Sequence, residues 1–184
     1  MSFLQKLLPF IKRYALVLCV VLGLLLGLLL AHFERPLARE RATPENVWDY
    51  IEDSASMHGL DPHFVYALAM AESSLNPTAD SGYARGMMQL SRVAWEEVTH
   101  TSYRYAWNWH TSVDVAIDYL LYCKKFLQDH DQFSYPMLAL CYRFGPYMVQ
   151  EKGFQLSALK PQIENKIYQQ LISGVNDPVP VPDY

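Results

Sequence analysis

The chain has 184 residues and a formal net charge of −4, with 15 Lys and Arg against 19 Asp and Glu. From Ala42 onward nine Lys and Arg stand against seventeen Asp and Glu, a formal −8, and so acidic a segment is a poor candidate for binding nucleic acid, whose phosphates need basic partners. A neutral or weakly charged ligand such as a glycan fits it better.

An uncharged apolar run extends from Tyr14 to Ala31. A helix over this run, rising ~1.5 Å per residue, approaches the ~30 Å thickness of a bilayer core. Lys6, Lys12 and Arg13 precede the run, so the positive-inside rule predicts a transmembrane anchor at 14–31 with residues 1–13 in the cytoplasm. The competing prediction is a cleaved signal peptide, because the small Ala31 ends the run. Both predictions export the rest of the chain.

The segment after the charged linker 32–43 is predicted to be one mainly α domain over residues 44–173. Thr43 and Pro44 supply an N-cap hydroxyl and a proline at the first helical position, and Gly59 ends that helix. Asp61 and Pro62 start a second helix, and the composition of 76–86 predicts a loop.

Later helices are indicated by start signals or by apolar spacing. They are one after Ser91, one after the capping-box pattern Thr111-x-x-Asp114, one from near Pro136 to Arg143, and one carrying Ile163, Ile167 and Leu171. No convincing alternation typical of a strand appears. Residues 174–184 are proline-rich and predict an extended, mobile tail that is a candidate docking segment for a partner in an envelope complex.

Glu72 lies on the apolar face of the second predicted helix. Val65, Leu68 and Ala69 precede it by seven, four and three residues, which places them beside it on that face. Burial disfavours the ionised carboxylate and raises its pKa, which suits a general acid at neutral pH. The alternative interpretation is a partly solvated glutamate on a fraying last turn.

Polar side chains follow Glu72 closely. Ser73, Ser74 and Ser81 offer hydroxyls and Gln89 offers an amide. Hydroxyls and amides recognise sugar hydroxyl and N-acetyl groups by hydrogen bonding, without requiring a charged ligand. The pattern predicts a polar wall beside a half-buried acid.

Four ordered motifs carry a resemblance to a known family. They are "ESSLNP" at 72–77, "SGYARGMMQL" at 81–90, "ALCYRFGP" at 139–146 and "ENKIY" at 164–168. Together they resemble the signature of the soluble lytic murein transglycosylase (SLT) and goose-type lysozyme superfamily. The resemblance spans roughly 45–172 and implies a lysozyme-like helical domain, preceded here by the N-terminal transmembrane helix. It also implies a single-pass protein of the bacterial inner membrane with its domain in the periplasm, or a soluble periplasmic protein if the signal is cleaved.

The resemblance implies cleavage of the β-1,4 bond between N-acetylmuramic acid and N-acetylglucosamine in a peptidoglycan strand, without a cofactor or metal. Glu72 would act as acid and then as base, leaving a 1,6-anhydro product. The implied substrate contacts are Ser73, Ser81, Met88, Gln89, Tyr142 and Tyr168, the two tyrosines also positioning the Glu72 carboxyl.

Departures from the family pattern keep two alternatives open. Tyr83 stands where a glycine is usual in a loop one residue short, and Arg143 replaces an asparagine. One alternative is a hydrolytic lysozyme, which needs a second carboxylate. Asp80, Glu96 and Glu97 are its candidates, although Asp80 is more typical of a loop residue bonded to its own backbone and the two glutamates of a solvated helix face. The other alternative is a weakly active glycan-binding scaffold.

The remaining chemistry-bearing residues favour structural interpretations. The histidines lack HExxH or comparable metal-ligand spacing. Cys123 and Cys141 are interpreted as buried thiols, with a disulfide as the alternative. The aromatic side chains alternating over 103–109 are interpreted as packing residues, with sugar stacking as the alternative.

Overall fold

The structure is a computed structural model that describes residues 14, 17, 20–24, 41–159, 163–175 and 177–182. The chain forms two compact units, Met1–Glu40 and Arg41–Tyr184. Within the first unit, residues 14, 17 and 20–24 are helical. None of the helices in the described part of the chain is long and apolar enough to cross a membrane. Most of the predicted span 14–31, all of 1–13 and most of the linker lie outside the described residues.

The second unit is mainly helical, as predicted. Its helices are α1 (Pro44–Met57), α2 (Pro62–Ser73), α3 (Arg92–Val98), α4 (Trp109–Asp129), α5 (Tyr135–Phe144), α6 (Pro146–Glu151), α7 (Leu156–Leu159) and α8 (Lys166–Ile172). A 3-10 helix, Tyr103–Trp107, joins α3 to α4, and a small antiparallel hairpin of β1 (Ala84–Arg85) and β2 (Leu90–Ser91) lies between α2 and α3.

The first two helices begin where their caps predict. The Thr43 hydroxyl accepts from the Asn46 amide, and the Asp61 carboxylate accepts from the His63 amide at 3.0 Å. Each side chain satisfies an amide that has no partner within the helix. Proline occupies the first position of both helices, where its missing N–H is not needed.

The long helix α4 begins before the predicted capping box. Asn108, not Thr111, is its N-cap, accepting from the Thr111 amide at 3.0 Å and from the Thr111 hydroxyl at 3.1 Å. Asp114 therefore lies inside the helix, where its carboxylate accepts from the Tyr50 hydroxyl at 2.7 Å. The capping-box prediction is wrong because an equally good capping side chain stands three residues earlier.

The hairpin was not predicted, since strands of two residues carry no alternation to detect. Ala84 pairs with Ser91 and Arg85 with Leu90. Backbone bonds from outside the hairpin, such as Gly86 N to Ala79 O at 2.9 Å, hold it in place. Its stability therefore depends on contacts that the local sequence does not announce.

The helix α2 lies at the centre of the core. Its residues from Phe64 to Ala69 are all buried, and α1 and α8 pack against it. The helix α8 also packs against α5, so side chains from α5 and α8 meet the end of α2. The helix α8 begins at Lys166, later than predicted, and Ile163 precedes it as a buried non-helical residue.

Part of the C-terminal tail packs against the domain. Val179 and Val181 are partly buried against the core. Two apolar side chains of the tail are thus partly removed from water, while the mobility predicted for 174–184 stays a prediction.

Candidate active site

A cleft of about 730 Å³ lies beside the end of α2. Among the described residues that line it, Arg143 is the one cation and Glu72 and Glu97 are the carboxylates. Its other polar and aromatic lining side chains are Ser81, Tyr83, Gln89, Ser91, Tyr119, Tyr122, Tyr142, Phe144, Tyr147, Asn165 and Tyr168. The cleft is large enough for sugar rings, and most of the hydrogen-bonding side chains along its lining are neutral.

Glu72 lies in the last turn of α2 with only 7% of its side chain exposed. One carboxyl oxygen, Oε1, accepts a hydrogen bond from the Tyr168 hydroxyl of α8. The other, Oε2, lies 3.6 Å from Nη1 of Arg143 on α5. Two helices from the far end of the chain therefore fix this carboxyl against one wall of the cleft.

Asn165 ties α8 to the end of α2. Its side-chain oxygen accepts from the amides of Ile167 and Tyr168 at 2.9 and 3.1 Å, which caps α8. Its amide nitrogen donates to the carbonyl of Ala71 at 3.1 Å, one residue before Glu72. One side chain thus starts α8 and sets its distance from the acid.

Three influences act on the Glu72 proton. Burial raises the pKa of Glu72 above its usual value of 4.5, while the Tyr168 hydrogen bond and the Arg143 charge pull that pKa back down. Burial dominates, so the pKa remains raised. The carboxyl is therefore disposed to hold a proton that an exposed glutamate would release.

The two cleft tyrosines are held as neutral hydroxyls. Burial and the nearby Glu72 raise the pKa of both Tyr142 and Tyr168 well above its ordinary value. Tyr168 donates to Glu72, while Tyr142 donates to the carbonyl of Met88 at 2.7 Å. Of the two tyrosines predicted to position the carboxyl, Tyr168 bonds it directly and Tyr142 anchors the hairpin side of the cleft.

Ser81 and Gln89 both line the cleft, where the sequence predicted them. The Ser81 hydroxyl accepts from the Ala84 amide at 3.1 Å, within its own turn. The Gln89 amide nitrogen donates to the carbonyls of Ala79 and Gly86 at 3.0 and 2.9 Å. These bonds leave the Gln89 amide oxygen as the atom able to accept from a ligand.

Ser73 and Met88 lie elsewhere than the predicted substrate contacts. The Ser73 hydroxyl donates to the carbonyl of Met87 at 2.7 Å, which joins the end of α2 to the hairpin. The Met88 side chain is fully buried, and neither residue lines the cleft. Consecutive helical residues project about 100° apart, so Ser73 faces the hairpin when Glu72 faces the cleft.

Arg143 is a charged cleft residue that the predicted site left out. The sequence marked it only as a departure from a family motif, beside Tyr142 and before Gly145. The motif gave no sign that the guanidinium would face Glu72, because the two residues are 71 positions apart. The available signal was the replacement of a neutral motif residue by a charged one.

The three candidate second carboxylates differ in placement. Asp80 accepts from the Gly82 amide at 2.7 Å and pairs with Arg85 at 3.4 Å, outside the cleft lining, as its loop interpretation predicts. Glu96 pairs with Arg92 on the exposed face of α3. Glu97 is exposed but lines the cleft, which its interpretation as a purely solvated residue did not predict.

The packing interpretation of the aromatic stretch holds for two of its four rings: Tyr103 and Trp109 are buried, whereas Tyr105 and Trp107 are exposed. Tyr103 donates to the carbonyl of Leu90 at 2.8 Å. The interpretation of the cysteines as buried thiols is confirmed. Cys123 and Cys141 are free and buried, and burial raises the pKa of Cys141 to about 12. Within the described part of the chain no three His, Cys, Asp or Glu side chains are grouped so as to hold a metal ion.

Comparison with known proteins gives one match. A family model of the transglycosylase SLT domain matches residues 49–164, which is more than half of the chain. No curated protein matches the sequence, and no solved structure matches it. The matched range contains α2 with Glu72, the hairpin and α3 to α7, and it ends just before Asn165, the N-cap of α8. The chain therefore belongs to the transglycosylase SLT domain family.

Proposed function

We propose that this domain is a lytic transglycosylase that cleaves the N-acetylmuramic acid to N-acetylglucosamine β-1,4 bond of peptidoglycan, with Glu72 as its acid and base. Family membership supports a glycosidic-bond enzyme acting on peptidoglycan. The observation that carries the residue assignment is the state of Glu72, which lines a large cleft with 7% of its side chain exposed and a raised pKa.

In the proposed reaction Glu72 starts protonated. It donates its proton to the glycosidic oxygen as the bond from that oxygen to the anomeric carbon breaks. The carboxylate then takes the proton of the muramoyl 6-hydroxyl as that oxygen bonds to the anomeric carbon. The 1,6-anhydro sugar forms without water, and Glu72 ends protonated as it began.

The position of Asp80 supports transglycosylation over hydrolysis, whereas that of Glu97 leaves a test to be made. Hydrolysis by a pair of carboxylates needs a second group beside the scissile bond. Asp80 is committed to Gly82 and Arg85 outside the cleft lining. Glu97 lines the cleft, so it is the carboxylate whose removal separates the two reactions.

The first test replaces Glu72 by glutamine, which keeps the shape and removes the titratable proton. We expect Glu72→Gln to lower the rate of peptidoglycan digestion by at least about 100-fold. Glu96→Gln, the same change on the exposed face of α3, is the matched control. If Glu72→Gln digests peptidoglycan at nearly the rate of the unmodified protein, Glu72 is not the catalytic acid.

The second test reads the products by mass spectrometry. We expect both the unmodified protein and Glu97→Gln to release glycan fragments with 1,6-anhydro ends. If the unmodified protein instead releases fragments with reducing ends and Glu97→Gln does not, Glu97 is a water-activating base and the protein is a hydrolase.

We also propose that residues 14–31 anchor the protein in the inner membrane with its domain in the periplasm. The support is the uncharged apolar run with Lys12 and Arg13 before it. The full chain should fractionate with membranes, resist extraction at alkaline pH and keep its original N-terminus. A mature protein that begins near residue 32 would contradict the anchor and favour the cleaved signal.

A further inference from the structure

The cleft holds one charged group that the proposed reaction does not use. We propose that Arg143 is a receptor for a carboxylate on the muramic acid side of the substrate, and that its guanidinium leaves Glu72 to bind that carboxylate. The proposal rests on the proposed function and adds to it a substrate group and a means of activating the acid.

The contact between Arg143 and Glu72 is loose enough to exchange. Nη1 and Oε2 are 3.6 Å apart, whereas strong charge-assisted bonds are about 2.7–2.9 Å long and are often doubled between arginine and carboxylate. About half of the Arg143 side chain, 53%, is exposed, against 7% for Glu72. A guanidinium has five N–H donors, so this one contact leaves donors of a cleft-lining side chain available to a ligand.

The guanidinium of Arg143 also contacts the aromatic ring of Tyr168. The Arg143 Cζ atom lies 5.7 Å from the ring centroid, within the range of a cation–π contact. The hydroxyl of the same tyrosine bonds Glu72. The charge is therefore held next to the acid by a ring as well as by the carboxylate, and it can remain beside the ring when the carboxylate contact is replaced.

The charge distribution makes Arg143 a single point of attraction for an anion. The chain from Ala42 onward carries a formal −8, and the other charged side chains on the described lining are Glu72 and Glu97. A neutral glycan would offer the guanidinium hydrogen-bond acceptors but no opposite charge. Muramic acid differs from other amino sugars by its lactyl ether, which ends in a carboxylate or carries a peptide with carboxylates of its own.

Exchange of Arg143 from Glu72 to the substrate would change the state of the acid. Besides burial, the groups that act on the pKa of Glu72 are Arg143 and the hydroxyl of Tyr168. Burial keeps Tyr168 neutral, so Arg143 is the charge of the two whose position can change. Once Arg143 pairs with a substrate carboxylate, Glu72 loses one of the two interactions that favour its ionised form and holds more tightly the proton that it must donate.

The first experiment compares two forms of the substrate. Peptidoglycan is used as isolated or after carbodiimide coupling that converts its carboxylates to amides. We expect the parent to show kcat/KM about tenfold higher on the carboxylate form, the scale of one charge-assisted contact. We expect that ratio to fall to about one in Arg143→Gln, and to persist in Arg104→Gln, which removes an exposed arginine outside the cleft lining.

A second pair of substrates locates the carboxylate. Peptidoglycan stripped of its peptides by an amidase keeps only the lactyl carboxylate, and amidation then removes that group as well. If the unmodified protein keeps its preference for the carboxylate form after the peptides are removed, Arg143 binds the lactyl carboxylate. If the preference disappears, Arg143 binds a carboxylate of the peptide. Both results support a carboxylate receptor. A parental ratio of one on intact peptidoglycan, or an undiminished ratio in Arg143→Gln, overturns the proposal.

The pH dependence tests the exchange without any variant. The alkaline limb of kcat/KM reports the acid in the free enzyme, and that of kcat reports it in the complex. On carboxylate-bearing peptidoglycan, kcat of the unmodified protein should begin to fall at a higher pH than its kcat/KM does. If both fall at the same pH, Arg143 does not leave Glu72 when substrate binds. If 1,6-anhydro products form and the ratio is one, the inference fails and the proposed function stands; if no glycan product forms from any substrate, the proposed function itself fails.

Discussion

The carboxyl of Glu72 is oriented and acidified by the same neighbour. The Tyr168 hydroxyl donates to Oε1, which fixes the plane of the carboxyl, and the same bond favours the ionised form and lowers the pKa of Glu72 against the effect of burial. Tyr168 stays a neutral donor, because burial raises its own pKa well above its ordinary value. Tyr168 therefore orients the carboxyl of Glu72 and, in doing so, lowers the affinity of that carboxyl for its proton.

Replacement of Tyr168 by phenylalanine separates these two effects. Loss of the hydroxyl removes a bond to the charged form, so the pKa of Glu72 should rise and the alkaline limb of kcat/KM should move to higher pH. The rate at the optimum should fall about tenfold, because the carboxyl loses its orientation.

Tyr142→Phe is the matched control, since its hydroxyl bonds the Met88 carbonyl and not the acid. It should leave the alkaline limb in place. An unmoved limb in Tyr168→Phe would show that the hydroxyl does not act on the Glu72 proton.

The sequence predicts residues of this site well when a side chain's direction follows from helical spacing. Glu72 was placed from its apolar neighbours at three, four and seven residues. Ser73 and Met88 were assigned to the ligand because a motif contains them, but a motif does not state which way each side chain points. The meeting of Arg143 with Glu72 depends on how α5 packs near α2, which no local pattern encodes.

At the level of elements, the hairpin wall of the cleft depends on one close backbone approach. Gly86 has φ +76°, and a Cβ added there would lie 1.8 Å from the carbonyl oxygen of Ala106 in the 3-10 helix. The Gly86 amide also donates to Ala79. The hairpin can lie against the 3-10 helix only because this residue has no side chain.

Gly86→Ala should therefore destabilise the domain by about 3 kcal/mol, since a left-handed backbone and a backbone clash act together. Gly82→Ala isolates the first effect, because Gly82 has φ +82° and open space around its Cβ position; it should cost about 1 kcal/mol. Urea unfolding of both variants measures the difference. Equal losses would mean that the contact with Ala106 is not tight in solution.

Elements with self-contained signals were predicted, and elements that depend on distant partners were not. The starts of α1 and α2 follow from a capping side chain and a proline in adjacent positions. The hairpin depends on Ala79, Gly86 and Ala106, which the fold brings together. The start of α8 is set by Asn165, whose amide also bonds α2, so the predicted apolar series from Ile163 extended the helix too far.

For the molecule as a whole, burying the carboxyl of Glu72 lowers the stability of the folded domain. The helix α2 is buried from Phe64 to Ala69, and Glu72 is the one ionisable side chain in its last turn. The compact domain leaves this carboxyl with little water and one loose cation, so the ionised form is disfavoured in the folded state. Function and stability therefore make opposite demands at this position.

The pH dependence of stability follows from the sign of that shift. The folded pKa of Glu72 lies above the unfolded value near 4.5, so the folded state binds the proton more tightly. As pH rises from the unfolded to the folded pKa, the unfolded chain releases this proton first and the parent loses stability. Below the unfolded pKa the penalty is absent, and above the folded pKa it is complete.

Glu72→Gln does not titrate and should escape the penalty. We expect its free energy of unfolding to exceed the parental value by about 1 kcal/mol at neutral pH, with the difference shrinking as pH falls toward the unfolded pKa. Glu96→Gln, on the exposed face of α3, is the matched control for replacing a glutamate by glutamine. The measurement is denaturant unfolding of all three proteins across this pH range. A difference for Glu72→Gln that stays constant or shrinks as pH rises would mean that the folded domain does not raise the pKa of this carboxyl.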